Sequence, residues 1–162
     1  MSPRAAARLE SLGFTRVYDY EAGKSDWLAS PLATEGRTAG TPDAAAMVRG
    51  DDIACHLGER LGDVAERVRA AGKNVCIVVD DRHIVLGRIR GQALDGDPNS
   101  LVEDVMRPGP STIRPDIDLG TVAKTLRDGN VQSTLVTNQE GRLIGTVYLE
   151  DIERKLAEST GS

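Results

Sequence analysis

Aromatic side chains are scarce in this 162-residue chain, at 3% of its composition. They are also unevenly placed: Phe14, Tyr18, Tyr20 and Trp27 precede residue 30, which leaves Tyr148 alone for everything after. That shift in composition gives the N-terminal part the look of a segment with a different origin. Cysteine is nearly missing as well. Cys55 and Cys76 lie in or beside apolar runs with no C-x-x-C spacing, which argues for buried thiols acting as small hydrophobes rather than metal ligands. No apolar run approaches the roughly 20 residues of a membrane span, and the start does not follow a charged-then-apolar leader pattern. Base is in deficit, since 20 Lys and Arg against 25 Asp and Glu give a net charge of -5. Bulk binding to nucleic acid or an anionic membrane is therefore not expected, and a soluble cytoplasmic protein is.

What is present is a repeated pattern. Thr134 to Asp151 reads as two β-branched runs around the turn residues Asn138-Gln139-Glu140-Gly141, a hairpin that leads into a helix with Leu149, Ile152 and Leu156 at helical spacing. Sliding the sequence by 58 residues aligns Leu61-Gly62 with Leu119-Gly120, Val64-Ala65 with Val122-Ala123, Ile77-Val78 with Leu135-Val136 and Val85-Leu86-Gly87 with Leu143-Ile144-Gly145. One offset held from Leu61 to Ala93 marks an internal duplication.

Taken in order, Ser2 and Pro3 open a short helix pattern that Gly13 closes, Phe14 to Tyr20 alternates as a strand, and Ala22 to Ala29 suits a second short helix carrying Trp27. Gly36 to Pro42 reads as a linker; folding back of the N-terminal piece is expected, because Phe14 and Trp27 left in water would form an apolar patch. Ala44 to Val48 suits a short helix, Asp52 to Cys55 a strand, Leu61 to Ala71 a helix, and Val75 to Val79 with Ile84 to Ile89 a hairpin. Ser100-Leu101-Val102-Glu103 fits a capping box opening a helix to Met106, and Ser111 to Ile113 opens the second copy.

Two resemblances follow from these residues. The G-F-x-x-V-Y and G-K-x-D-W elements near the start look like the C-terminal end of a rhodanese-like sulfurtransferase domain, without the cysteine loop that such a domain places before this helix. The strand, helix, strand, strand, helix order of each copy, with V-E-D-V-M-R before the second and G-R-L-I-G-T-V-Y-L-E-D-I closing it, resembles a tandem pair of cystathionine-β-synthase-type (CBS) domains. The implied architecture is a mixed α/β (α+β) CBS pair with a small helix-strand-helix appendage. Its parts would be a rhodanese-like remnant at 1–36, a linker and lead-in helix at 37–50, a first repeat at 51–100 and a second at 101–160.

The CBS resemblance implies a regulatory adenosyl ligand such as AMP, ATP or S-adenosylmethionine in the cleft between the repeats. The family motif is a glycine, then Ser or Thr, then Asp three residues later. It falls here on Gly145, Tyr148 and Asp151, and in the first copy on Gly87, Arg90 and Ala93. Asp151 would hold ribose hydroxyls, Tyr148 would meet phosphate or base, Arg90 would reach phosphate, and the backbone of Thr112 and Ile113 would meet adenine. Structural readings stand beside each of these. Asp151 suits the first turn of a helix in any case, Tyr148 suits packing, Arg90 a solvated surface, and Thr112 and Ile113 a strand core. His56 beside Cys55 makes no nucleophile–base pair, because adjacent strand residues face opposite ways. The expectation is a non-catalytic regulatory module, homodimeric by resemblance, that signals nucleotide status to a regulated protein. The alternatives are a ligand-free dimerisation or interaction scaffold and, with less behind it, a rhodanese-type sulfurtransferase.

Overall fold

The computed structural model describes residues 9, 10, 12–17 and 42–160. Most of the rhodanese-like segment at 1–36, with Trp27, and most of the linker lie outside the described residues. Within them, Leu9 and Glu10 are helical as the N-terminal pattern suggests, while Phe14 is 58% exposed, so the expected folding back does not cover this ring.

From Pro42 onward the chain forms two small sheets. In the first, strands β1 (Ala54–His56), β2 (Val75–Val79), β3 (Val85–Arg90) and β4 (Arg107–Pro108) lie in that order, with β1 parallel to β2 and the others antiparallel. The second has β5 (Thr112–Ile113), β6 (Ser133–Thr137) and β7 (Leu143–Tyr148), again with the leading strand parallel and the hairpin antiparallel. Helices α1 (Leu61–Ala70) and α3 (Leu119–Asp128) each follow the leading strand of their copy, α2 (Val102–Val105) connects the copies, and α4 (Leu149–Thr160) closes the chain. The 58-residue offset carries α1 onto α3, β2 onto β6 and β3 onto β7 end for end, and the register irregularity at Val78/Val79 recurs at Val136/Thr137.

Local chemistry explains most of these elements. In α1, Leu61, Val64, Ala65 and Val68 recur at i, i+3, i+4 and i+7 and are all buried, and α3 repeats this with Leu119, Val122, Ala123 and Leu126. Burying each Leu or Val contributes about 1.5–3 kcal/mol. The hairpin tips match too. Asp80 accepts from the Arg82 and Ile84 amides, and Asn138 accepts from those of Glu140 and Arg142, closing the same turn.

The Ser100 to Glu103 capping box does not form. The cap position belongs to Leu101, which pairs with Arg60 as an isolated bridge, and the Val102 amide donates to Glu59 O at 3.0 Å. Glu103 turns instead to the Gly58 amide at 2.8 Å. The Ser100 amide, which Glu103 would have met in such a box, donates to Asp97 O at 3.0 Å, so long-range pairing draws Glu103 away while a local turn takes the donor.

Each copy receives its leading segment from the other side of the molecule. Val102 is buried in the core of the first copy beside Leu61 and Val64, whereas Ala44, from a short 3-10 turn at Ala44–Met47, is buried in the core of the second beside Leu119 and Val122. Arg107 pairs with Arg88 in β3, and Arg49 bridges Thr146 in β7 through amides at 2.9 and 3.0 Å. This explains two glycines. A β-carbon on Gly87 would lie 2.9 Å from Arg107 O, and one on Gly145 would collide with Arg49 O. The copies meet along a shared seam of Ile77, Val79 and Leu135, flanked by Val75, Val85 and Leu143.

Candidate functional site

A cleft of about 630 Å³ opens between the two hairpins, lined by equivalent positions from both copies. Asn74 faces the same space as Gln132, Val75 as Ser133, Ile77 as Leu135, Arg88 as Thr146 and Arg90 as Tyr148; each pair is 58 residues apart. The cleft therefore lies on the approximate two-fold axis of the duplication. Alternation along β3 and β7 produces this arrangement: Ile89 and Val147 point into the cores, so their neighbours must point out.

Two of the sequence-derived candidates, Arg90 and Tyr148, line this cleft. Asp151 lies behind it and is 3% exposed. Its carboxylate is clamped between Arg49 at 2.5 Å and Arg154, one turn along the helix, also at 2.5 Å. Arg49 reaches Glu150 at 3.7 Å as well, and its guanidinium stacks 4.7 Å from the centre of the Tyr148 ring. Arg49 thus covers both the phenol and the acid. Thr112 and Ile113 are not among the cleft residues. Thr112 is exposed and accepts from the Thr137 hydroxyl at 3.3 Å, while Ile113 packs against the second core.

Sequence reasoning passed over several residues that the fold brings to this place. Arg88 lines the cleft from the first copy, and burial, with Arg90 and Arg107 nearby, pulls its guanidinium below the usual arginine range. Thr146 lines it from the second, and its hydroxyl donates to Asp52 Oδ1 at 2.7 Å. Asp52 Oδ2 is buried without a hydrogen-bond partner among the described residues, and burial pushes this carboxyl above the usual aspartate range. Beside it, Lys73 Nζ holds Asp51 at 2.5 Å and lowers that carboxyl. A signal for Arg49 did exist in the sequence. Extending the 58-residue offset upstream places Met47-Val48-Arg49 on Val105-Met106-Arg107.

Chemically, the cleft offers aliphatic walls, a phenol, side-chain amides, hydroxyls and two guanidinia, with no carboxylate on its lining. Such a surface suits a ligand with a flat apolar part and an anionic part. Cys55 and Cys76 are both buried in the first core, and hydrogen bonding to Cys55, with burial, pushes the Cys76 thiol up. They behave as small hydrophobes there. Among the described residues no group of three or more His, Cys, Asp or Glu side chains is placed to hold a metal ion, and no helix is long and apolar enough to cross a membrane.

Comparison with solved structures matches this architecture to the CBS domain pair of protein MJ0100, crystallised with 5′-methylthioadenosine and S-adenosyl-L-methionine. The match covers 74% of this chain and 98% of that one, with a TM-score of 0.61 and 19% identity. The fold is that of a CBS domain pair. The family model for the CBS domain matches residues 102–158. The cytosolic domain of the Mg2+ channel MgtE, solved in complex with ATP, shares the CBS-pair fold with a TM-score of 0.65 and 25% identity, covering 70% of this chain and 48% of that one. Among curated proteins, the magnesium transporter MgtE of Thermus thermophilus is 26% identical over 120 residues, 68% of this chain. The present chain spans 26% of that transporter's length.

Proposed function

We propose that this protein is a non-catalytic regulatory module that binds an adenosyl ligand, of the AMP, ATP or S-adenosylmethionine type, between its two CBS repeats and passes the bound state to a regulated protein. The observation that carries this reading is the cleft on the two-fold axis, where equivalent strand positions supply Arg90 from the repeat at 51–100 and Tyr148 from the repeat at 101–160. The ligands named for the MgtE and MJ0100 structures support the same class. A cytoplasmic homodimer, with the rhodanese-like segment at 1–36 as a structural appendage, completes the proposal.

The mechanism rests on competition for Asp151. Arg49, whose side chain is 45% exposed, can leave for solvent, so a ribose offering two hydroxyls replaces one guanidinium on the buried carboxylate. Because the backbone of Arg49 is paired with Thr146, its release is felt in the Asp43–Arg49 segment that links this repeat to the chain before it. Ligand binding then shifts an existing equilibrium by its differential affinity for the two arrangements. In this reading Thr112 and Ile113 support the second repeat through strand pairing with β6, and contact adenine only if the repeats shift.

Calorimetric titration with AMP, ATP and S-adenosylmethionine tests the proposal. Asp151→Ala is expected to weaken binding about 10- to 100-fold, the effect of losing a charged hydrogen bond of about 1.5–3 kcal/mol. One observation favours the ligand-free scaffold instead: Asp151 is already satisfied by two arginines. Melting curves that none of the three ligands moves, with dimer formation intact, would select that reading.

A further inference from the structure

In a chain with a net charge of -5, the cleft lining holds two arginines and no acid. Arg88 and Arg90 alternate with buried Ile89 on β3 and so share the cleft face. Arg107 on β4 is the direct cross-strand partner of Arg88, and directly opposed side chains in an antiparallel pair stand on the same side of the sheet. Like charges placed this way repel, and Arg88 registers it through the effects of burial, Arg90 and Arg107 on its guanidinium. Among the described residues, none of the three makes an ion pair or hydrogen bond with an acid, although Arg49, Arg67, Arg69, Arg82, Arg127, Arg142 and Arg154 all do. Of the other arginines from residue 42 onward, Arg60 and Arg114 hydrogen-bond neutral oxygens, of Asn99 and Thr137, and the rest hold acids, so these three stand out as guanidinia gathered with neither kind of partner.

The other side of the cleft is uncharged. Gln132, Ser133, Thr134, Thr146 and Tyr148 can hydrogen-bond a base or sugar but neither attract nor repel charge. From this asymmetry we infer that the cleft selects a polyphosphorylated ligand, a nucleoside di- or triphosphate, whose phosphate chain is held by Arg88, Arg90 and Arg107. Guanidinium forks match phosphate oxygens in bidentate fashion, and several of them balance the several negative charges of a di- or triphosphate. A sulfonium ligand such as S-adenosylmethionine brings positive charge to the same place and is rejected. This deepens the adenosyl reading above and rests on it, because the base and ribose are the parts assigned there.

The test is calorimetric titration of the full chain with 5′-methylthioadenosine, AMP, ADP, ATP and S-adenosylmethionine at low and high salt. Affinity is expected to rise about tenfold from AMP to ADP and again toward ATP, with the gain shrinking as salt is added. S-adenosylmethionine should bind more weakly than AMP. Arg88→Gln and Arg90→Gln should remove most of the advantage of ATP over AMP, weakening ATP far more than they weaken 5′-methylthioadenosine. Their melting temperatures should stay the same or rise, because a repulsion has been relieved; a merely structural arginine would lower them. Equal affinity for 5′-methylthioadenosine and ATP, or tighter binding of S-adenosylmethionine, overturns the phosphate grip and leaves the adenosyl site standing. Binding by none of the five removes both.

Discussion

At the end of its last strand the first repeat carries Arg88, Arg90 and Ala93, where the second carries Thr146, Tyr148 and Asp151. The hairpin strands that present the first two of each set match in order and register, down to the irregularity in each hairpin, whereas Ala93 lies in a 3-10 turn at Gly91–Asp95 and Asp151 in α4. What has diverged is charge: one side of the cleft is cationic and unpaired, the other neutral with a buried acid already held by arginines. Arg49 and Arg107 are equivalent too, yet only Arg49 has an acid to hold, because the counterpart of Asp151 is Ala93. Duplication fixed the frame, and the side chains on the shared axis were then free to take different tasks. A ligand on such an axis meets two unlike half-sites, which gives it one orientation rather than two.

The largest expected effect tests whether the two crossings of leading segment over hairpin are equally tight. A β-carbon on Gly145 would run into backbone, the Arg49 carbonyl, which is fixed by its pairing with Thr146. One on Gly87 would meet Met106 Sδ at 2.7 Å and Arg107 O at 2.9 Å, and a thioether can move aside. Gly145→Ala should therefore cost about 3 kcal/mol and Gly87→Ala about 1–2 kcal/mol. Urea unfolding midpoints at unchanged slope measure both. Equal costs would mean that the crossings are equivalent after all.

These crossings also mark the limit of what could be read in advance. Hairpins and main helices were legible because their signals are local: periodic apolar residues, turn chemistry at Asp80 and Asn138, and one offset that aligns them. The segment at Ala44–Met47 carries three alanines and no comparable period, so its burial in the opposite copy depends on contacts made across the molecule. The capping box at Ser100 failed for the same reason, since long-range pairing of Leu101 outcompeted a local motif. At the site, the motif implied by the CBS resemblance drew attention to Arg90, Tyr148 and Asp151. Nothing local could show that Arg49 covers Asp151, or that Arg107 stands opposite Arg88.

A smaller difference lies at the helix starts. Asp118 caps α3, accepting from the Thr121 amide at 2.9 Å and hydroxyl at 2.6 Å, whereas the equivalent Arg60 makes no such cap on α1. Asp118→Ala should cost about 1 kcal/mol, and Arg60→Asp should gain about 0.5 kcal/mol once the bond from Arg60 to Asn99 O is lost. The pH dependence has a definite sign. The Thr121 hydroxyl and amide hold the Asp118 carboxyl below the usual aspartate range. Its contribution is thus complete above the unfolded value of about 3.9 and fades as pH falls through the lower folded value. Wild type and Asp118→Ala should differ in thermal melts at pH 7 and converge under strong acid.

The smallest expected effect is at the hairpin tips, which hydrogen-bond each other from Val85 N to Gly141 O and from Leu143 N to His83 O. Gly141 takes a φ of 82° and its equivalent, His83, takes 66°, a region that L side chains enter at a cost. A β-carbon on Gly141 meets nothing closer than Ile84 Cγ2 at 3.5 Å, so Gly141→Ala tests conformation without a clash. It should lose about 1 kcal/mol. The reverse change, His83→Gly, should gain less, about 0.5 kcal/mol, because the relieved strain is partly offset by a more flexible unfolded chain. For a chain of this length each kcal/mol moves the melting temperature by about 2–4 °C, so both shifts are measurable. A loss on His83→Gly would show that the imidazole itself supports the joined tips, making this turn another place where the copies have diverged.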